Sequence, residues 1–329
     1  MATLFSGAVF GASTVAAGIV QPSTIISQFK FEEFHMLQTF IGATASSAVI
    51  YKVAESLGYV SLKPRNSSPI GLFSQYDGNI IGGSLLGLGM AISGSCPGTL
   101  FAQTGLGLQT GFYTLGGAII GGIVHVGIVA KIIKRQKERT GVKPHAVTLD
   151  EQLGISKGST LLLFEAVALS VVAASVILTN GASDWTLFSA GSGLFLGLAQ
   201  LFSILTRRSM LGVSTSFEEI GNHFWWLLRG ANPNAWPSSR QNLVFATGAA
   251  LGSWVLAQNF PSLAEGKVIE TAPSLAITGG FLMAIGSRIA GGCTSGHGVS
   301  GLSLLSTSSF ITIVSLFAAG GLVAPLVHK

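Results

Sequence analysis

The chain has 329 residues, of which 48% are hydrophobic and only 9% charged, and its mean hydropathy is +0.61. Soluble domains carry about 25% charged residues, so this composition excludes a soluble globular protein and marks an integral membrane protein. The net charge of +5 and pI near 9.4 would suit a nucleic-acid binder, but the basic residues lie in loops flanking apolar runs, where they read as topology signals.

A helix needs about 20 mostly apolar residues to span a bilayer. The first expected span is Ala2–Val20, retained because no Lys or Arg precedes Lys30 to make the basic start of a signal peptide. Phe34–Tyr51 gives a second span. The charge-free run Gly78–Ala130 holds two more, near Asn79–Ser95 and Gly111–Ile133. A basic linker, Lys131–Lys157, precedes a fifth span at Ser159–Asn180 and a sixth at Trp185–Thr206. Ser209–Arg240 is too broken to span; within it Gly212–Glu219 reads as a capped helix start, and Trp225, Trp226 and Trp236 suit a membrane interface. Gln241–Gln258, Thr271–Gly291 and Phe310–Val327 complete nine.

The chain also repeats itself. Two cysteines, Cys96 and Cys293, lie 197 residues apart. At that offset Gly82 matches Gly279, Gly83 matches Gly280, Leu85 matches Leu282, Gly89 matches Gly286, Ile92 matches Ile289 and Gly94 matches Gly291. Four spans on each side of one linker span make the second copy enter from the opposite face. The expected architecture is therefore all-α: nine transmembrane helices plus broken or re-entrant ones, in an inverted repeat whose broken helices meet near the midplane. Residues 1–135 form the first half, 136–183 the basic linker and linker helix, and 184–329 the second half, all within a single integrated transport domain. The loops on the N-terminal side hold fourteen Lys and Arg against three opposite, so the N-terminus is expected in the cytoplasm and the protein in the plasma membrane.

The candidate site follows from the cysteines. Two cysteines make no disulfide framework, no C-x-x-C spacing offers a metal site, and no metal or cofactor is expected. A lone membrane cysteine is usually a small buried hydrophobe. Here, however, both cysteines sit where a helix is interrupted by small residues: Gly94, Ser95, Pro97, Gly98 and Thr99 around Cys96; Gly291, Gly292, Thr294, Gly296 and His297 around Cys293. Irregular backbone at membrane depth is tolerated only where it is buried in protein or lines a cavity. A thiol is a weak donor and a soft acceptor, suited to a ligand that presents sulfur or diffuse negative charge. His297 reads either as a donor to an anion or as a structural hydrogen-bond partner. Arg288, five residues before Cys293, reads either as a functional intramembrane charge or as a helix-pairing arginine. Ser214 and Thr215 sit at an expected half-helix N-terminus, which favours anions or simply takes a cap.

Ser-Gly-Ser-Cys-Pro-Gly-Thr at 93–99 and Gly-Gly-Cys-Thr-Ser-Gly-His-Gly-Val-Ser-Gly at 291–301 resemble the two cysteine signatures of the YeeE/YedE sulfur-transport family. The resemblance extends over nearly the whole chain. It implies a multi-pass transporter for a small inorganic sulfur anion, thiosulfate foremost, passed along a narrow path by the thiols of Cys96 and Cys293 and by N–H groups of broken helices. A cytosolic sulfur-carrier protein is a candidate partner, alongside the lipid bilayer and the anion; nucleic acid is not. The chain departs from the pattern after the first helix, where bacterial members typically carry another cysteine and this chain has Val20-Gln21-Pro22-Ser23-Thr24. The rival reading is a membrane sulfurtransferase that forms a cysteine persulfide.

Overall fold

Apolar runs become helices here because, in hydrocarbon, only a helix satisfies every backbone polar group internally. The computed structural model describes residues 1–178, 184–265 and 271–328; among these, helices dominate and one isolated bridge, Thr148 to Ser306, is the only strand-like pairing. The expected end of the fifth span at Asn180, the boundary at residue 183, and Lys267 and Lys329 lie outside the described residues.

In chain order, α1 (Ala2–Ala16) is followed by a short helix α2 (Pro22–Phe29), then α3 (His35–Ser56). A 20-residue irregular loop leads to α4 (Asp77–Ser93), which breaks at Gly94–Cys96 and restarts as α5 (Pro97–Gly105). Helix α6 (Gln109–Val124) continues through a π-helical turn, His125–Val129, into the basic α7 (Ala130–Thr140). The small α8 (Leu149–Leu153) precedes α9 (Lys157–Leu178) and α10 (Asp184–Arg207). Then come α11 (Thr215–Leu228), α12 (Gln241–Asn259), the four-residue α13 (Pro261–Ala264) and α14 (Pro273–Ile289). Past a break at Ala290–Cys293 the chain re-forms as a π-helical segment, Thr294–Gly301, before α15 (Thr307–Val327).

Four described stretches are long and apolar enough to cross a membrane: Asp77–Gly105, Gln109–Thr140, Lys157–Ile177 and Thr307–Val327. The pair Pro273–Ile289 and Thr294–Gly301, bent by 46°, makes a fifth. The chain is thus an all-helical multi-pass membrane protein. The other expected spans fall on α1, 15 residues long, and on α3, α10 and α12, which reach 22, 24 and 19 residues but carry more polar side chains. Some of those side chains face protein. Thr39 Oγ1 on α3 lies 2.6 Å from Ser192 Oγ on α10, and Gln38 Nε2 donates to Ser175 Oγ on α9 at 2.9 Å.

Helix α4 packs against α14 and α15, α14 also against α6, α1 against α12, and α3 against α10. Glycines make these crossings close. A Cβ on Gly82 would lie 2.3 Å from Ala290 N, and one on Gly286 would lie 2.5 Å from Leu86 N and 2.7 Å from Gly82 O. At the other end of the crossing, a Cβ on Gly89 would lie 2.5 Å from Gly279 O, and one on Gly279 2.6 Å from Gly89 O. Gly82 thus meets Gly286 while Gly89 meets Gly279, so α4 and α14 run antiparallel with backbone against backbone. Small residues enable such approach where lipid supplies no hydrophobic drive between helices.

Side chains at this crossing would meet main-chain atoms that cannot swing away. Gly82→Val or Gly286→Val is expected to cost at least the 1–3 kcal/mol of ordinary overpacking and to lower the melting temperature of detergent-purified protein by about 5 °C or more. Gly116→Ala, on the same class of apolar helix but with nothing within 4 Å of its Cβ, should leave the melting temperature unchanged or raised.

Candidate functional site

Each cysteine occupies the same structural position, the residue before a half-helix. Cys96 is the N-cap of α5, with φ −120° and ψ 158°, and Cys293 is the N-cap of the π-helical segment, with φ −113° and ψ −171°. Both are free thiols and fully buried. The first N–H groups of a helix lack intrahelical acceptors and carry the positive end of its dipole. A thiol at the N-cap therefore stands in a field that favours negative charge.

The two thiols cap their helices differently. Around Cys96, the Thr99 N–H donates to Sγ at 3.3 Å, the Thr99 hydroxyl lies 3.4 Å from it, and the Cys96 N–H donates to Thr99 Oγ1 at 3.3 Å. This is a capping box in which sulfur replaces the usual oxygen. Around Cys293, Ser295 Oγ is 3.3 Å from Sγ, and the N–H groups of Val213 and Gly296 and the Ser214 hydroxyl complete the surroundings.

The two signatures meet in space. The Thr294 hydroxyl lies near the Cys96 sulfur and is buried without a hydrogen-bond partner. A Cβ on Gly98 would lie 3.6 Å from Cys96 Sγ and 3.9 Å from Ser295 Cβ. Of the residues expected at the site, Pro97 starts α5, and Gly98 and Thr99 form its first turn. Ser95 is buried and donates to Gln103 Oε1 at 2.5 Å, while Gln103 Nε2 reaches Val20 O at 2.9 Å and Gly94 O at 3.1 Å. Gln103, which sequence reasoning passed over, thereby ties the first break to the segment between α1 and α2.

Gly94 and Gly291 turn the chain at the two breaks with φ of +65° and +82°, a region L side chains avoid. Gly292 is required by contact: a Cβ there would lie 2.8 Å from both His297 Cδ2 and Arg65 Nη1. Gly296 likewise abuts Arg65, whose Nη2 would be 2.8 Å from a Cβ.

His297 has a partner at each ring nitrogen. Its Nε2 lies 3.1 Å from Ala290 O and its Nδ1 2.9 Å from Ser309 Oγ. Donation from Nε2 to the carbonyl leaves Nδ1 to accept the serine proton, so both nitrogens are engaged in bracing the break. Arg288 forms an ion pair with Glu218 on α11, and its Nη1 is 3.4 Å from Thr215 Oγ1. Thr215 is thus drawn to Arg288. Ser214 does not cap α11 through its side chain, contrary to the expected capped start, and it lies near Cys293.

Two cavities lie near the breaks, one beside the segment that Gln103 contacts and one beside Ile289. One of about 570 Å³ is lined by Gly18, Val20, Gln21 and Thr24, with Lys30, Glu32 and Glu33 at its edge. Gln21, where the resemblance leads one to look for another cysteine, is the residue before α2; its Nε2 donates to Ala264 O at 2.8 Å and its Oε1 is buried with no protein partner. The other cavity, of about 510 Å³, is lined by Ser68, His125, Arg288 and Ile289 and by Lys134, Lys137 and Lys143 against one carboxylate, Glu138. Ser68 Oγ donates to Ile289 O at 2.6 Å, which places this basic cavity beside the second break. Among the described residues no group of His, Cys, Asp and Glu side chains could hold a metal ion.

Comparison with known proteins identifies the family. A family model described as sulphur transport matches residues 16–323. The thiosulfate transporter TsuA of Spirochaeta thermophila is 25% identical over 330 residues, covering 94% of this chain and 94% of that protein. A probable transporter of Xylella fastidiosa is 30% identical over 128 residues, covering 39% of this chain and 84% of that protein.

The two positive-φ glycines differ in what they demand. A Cβ on Gly94 would also lie 2.8 Å from Pro22 Cβ, whereas one on Gly291 meets only Ser68 Cβ at 3.9 Å. Asparagine tolerates left-handed backbone. Gly291→Asn should therefore keep near-native membrane yield and melting temperature, with Gly291→Val lower by about 1–2 kcal/mol. Gly94→Asn and Gly94→Val should both be impaired, as measured by thermal unfolding in detergent.

Proposed function

Because the chain belongs to the sulphur-transport family, its work is sulfur transport and not catalysis, and we propose that its cargo is thiosulfate, passed through the membrane by way of Cys96 and Cys293. The observation that carries this reading is the pairing of the thiols. Two buried sulfurs stand at the N-termini of two half-helices that touch each other, each within reach of N–H and O–H donors. Donors at a helix N-terminus hold the oxygens of an anion, and a polarizable thiol suits its terminal sulfur. The thiosulfate transporter from Spirochaeta, similar along nearly its whole length, supports the choice of anion. A persulfide-forming enzyme would need a base beside a thiol, and the histidine in the second signature has both ring nitrogens engaged.

The proposed architecture is the nine-span inverted repeat. Exchanging the two halves maps α4 onto α14, α6 onto α15, α1 onto α10 and α3 onto α12. Under that exchange the packing of α4 on α15 becomes that of α14 on α6, and the packing of α1 on α12 becomes that of α10 on α3; both members of each pair occur. The glycine contacts exchange in the same way, Gly82 with Gly286 becoming Gly279 with Gly89. The cavity around Gln21 is then the outer vestibule, the basic cavity beside Arg288 the inner one, and the cysteines lie between.

Two experiments test this. In proteoliposomes, the wild type should take up thiosulfate well above sulfate or sulfite. Cys96→Ser and Cys293→Ser should each lower thiosulfate flux by at least ten-fold with unchanged protein level, because serine keeps a donor but loses the soft sulfur. Full activity in a Cys96→Ala, Cys293→Ala double mutant would end the thiol reading. For topology, protease or thiol-label accessibility should place the N-terminus and the Lys131–Lys157 linker in the cytoplasm and the C-terminus opposite; both termini on one face would refute the inverted repeat.

A further inference from the structure

Thiosulfate is a dianion, and neither thiol nor hydroxyl neutralises it. The structure points to the group that does. Arg65 lies in the irregular loop between α3 and α4, and its guanidinium enters the second cysteine signature from outside that signature's own helix. Its Nη1 donates to Gly291 O at 3.0 Å. Its two terminal nitrogens fill the space that side chains would take at Gly292 and Gly296, each 2.8 Å from the corresponding Cβ position. Gly292 and Gly296 flank Cys293 on either side, so the guanidinium is held against the loop that carries the thiol.

Arg65 is set apart by where its guanidinium lies, against Gly292 and Gly296, and three further features describe its state there. It forms no ion pair among the described residues, whereas Arg288, the other arginine next to a signature, is paired with Glu218. Its Nε is buried and without a hydrogen-bond partner. Burial pushes the guanidinium below its ordinary value, and because arginine stays protonated, an anion beside it would be stabilised. The position is also preset. The Arg65 carbonyl accepts from Ser306 Oγ at 2.9 Å and Ser308 Oγ at 3.1 Å, and Asp77 accepts the Ile70, Gly71 and Leu72 N–H groups that end the same loop.

We propose that Arg65 is the anion-recognising residue of the pathway, binding the sulfonate oxygens of the cargo while its terminal sulfur faces Cys293. This rests on the thiosulfate reading above and adds what that reading lacks, a counter-charge and a specificity-determining side chain supplied by a loop. Arginine suits the role because its planar fork of donors matches an oxyanion face and its charge survives burial.

The test uses the full chain in proteoliposomes, with thiosulfate as the probe. Arg65→Gln should raise the KM for thiosulfate at least ten-fold, with melting temperature in detergent close to wild type, and thiosulfate should no longer raise that melting temperature. Arg65→Lys, which keeps the charge but loses the fork and Nε, should retain uptake with KM raised at least three-fold. It also serves as the deciding variant if Arg65→Gln fails to accumulate. A wild-type KM in either variant that reaches the membrane overturns the assignment. A wild type that moves no thiosulfate refutes the cargo itself, a result distinct from thiosulfate uptake that is indifferent to Arg65.

Discussion

The constraint on which the rest of the structure depends is the antiparallel, glycine-lined crossing of α4 and α14. Without side chains at Gly82, Gly89, Gly279 and Gly286, the two backbones touch, and their C-terminal ends stop where each chain must turn. Gly94 and Gly291 make those turns with positive φ, and each new half-helix begins at a cysteine. A broken helix in hydrocarbon leaves N–H groups that water cannot satisfy. Here the thiols and neighbouring hydroxyls take that place, and on the proposed reading the same atoms would meet the cargo.

Most buried polar groups around the breaks are committed to holding them. Ser95 and Gln103 fasten the first break to Val20 and Gly94. His297 spans the second break between Ala290 and Ser309. Asn79 bonds Ala290, Ser308 and Thr312 across the α4, α14 and α15 junction. Each such bond contributes only about 1 kcal/mol, but leaving one partner buried and unpaired costs about 1–3. That asymmetry makes the breaks rigid. It also makes the few unpartnered groups informative, since the fold spends none of its own bonding on them.

The helical membrane architecture was legible in the sequence because composition and uninterrupted apolar length dominate helix formation in lipid. The two cysteine sites were legible because glycine and proline around a thiol are improbable within a plain span, and because the offset of 197 residues brings both contexts into register. The role of Ser214 was half legible: its neighbourhood predicted a helix start, which occurs at Thr215, but it lies near a thiol 79 residues away in sequence. Gln103, Ser295 and Arg65 were not legible. No periodicity marks Gln103 among the apolar residues of α5. Arg65, in Lys63-Pro64-Arg65, is indistinguishable by spacing from the loop cations that set topology. Only folding of the loop back onto Gly292 and Gly296 separates it from them.

That loop arginine also resolves a difficulty in moving an anion by thiols alone. Two unit charges 4 Å apart attract by about 4 kcal/mol at an effective dielectric constant near 20, so one fixed cation offsets part of a dianion's lost hydration without trapping it. A second unpaired cation at the same point would deepen the well and slow release. Arg288, close by in sequence, is neutralised by Glu218, and the remaining basic residues near the second break lie out in the cavity with Lys134, Lys137 and Lys143. On the proposed reading the cargo meets polar but uncharged groups at Gln21 and Cys96, a single part-buried charge beside Cys293, and then a hydrated basic vestibule. Attraction increases toward the cytoplasm while hydration returns, which gives the anion a reason to advance and a place to leave.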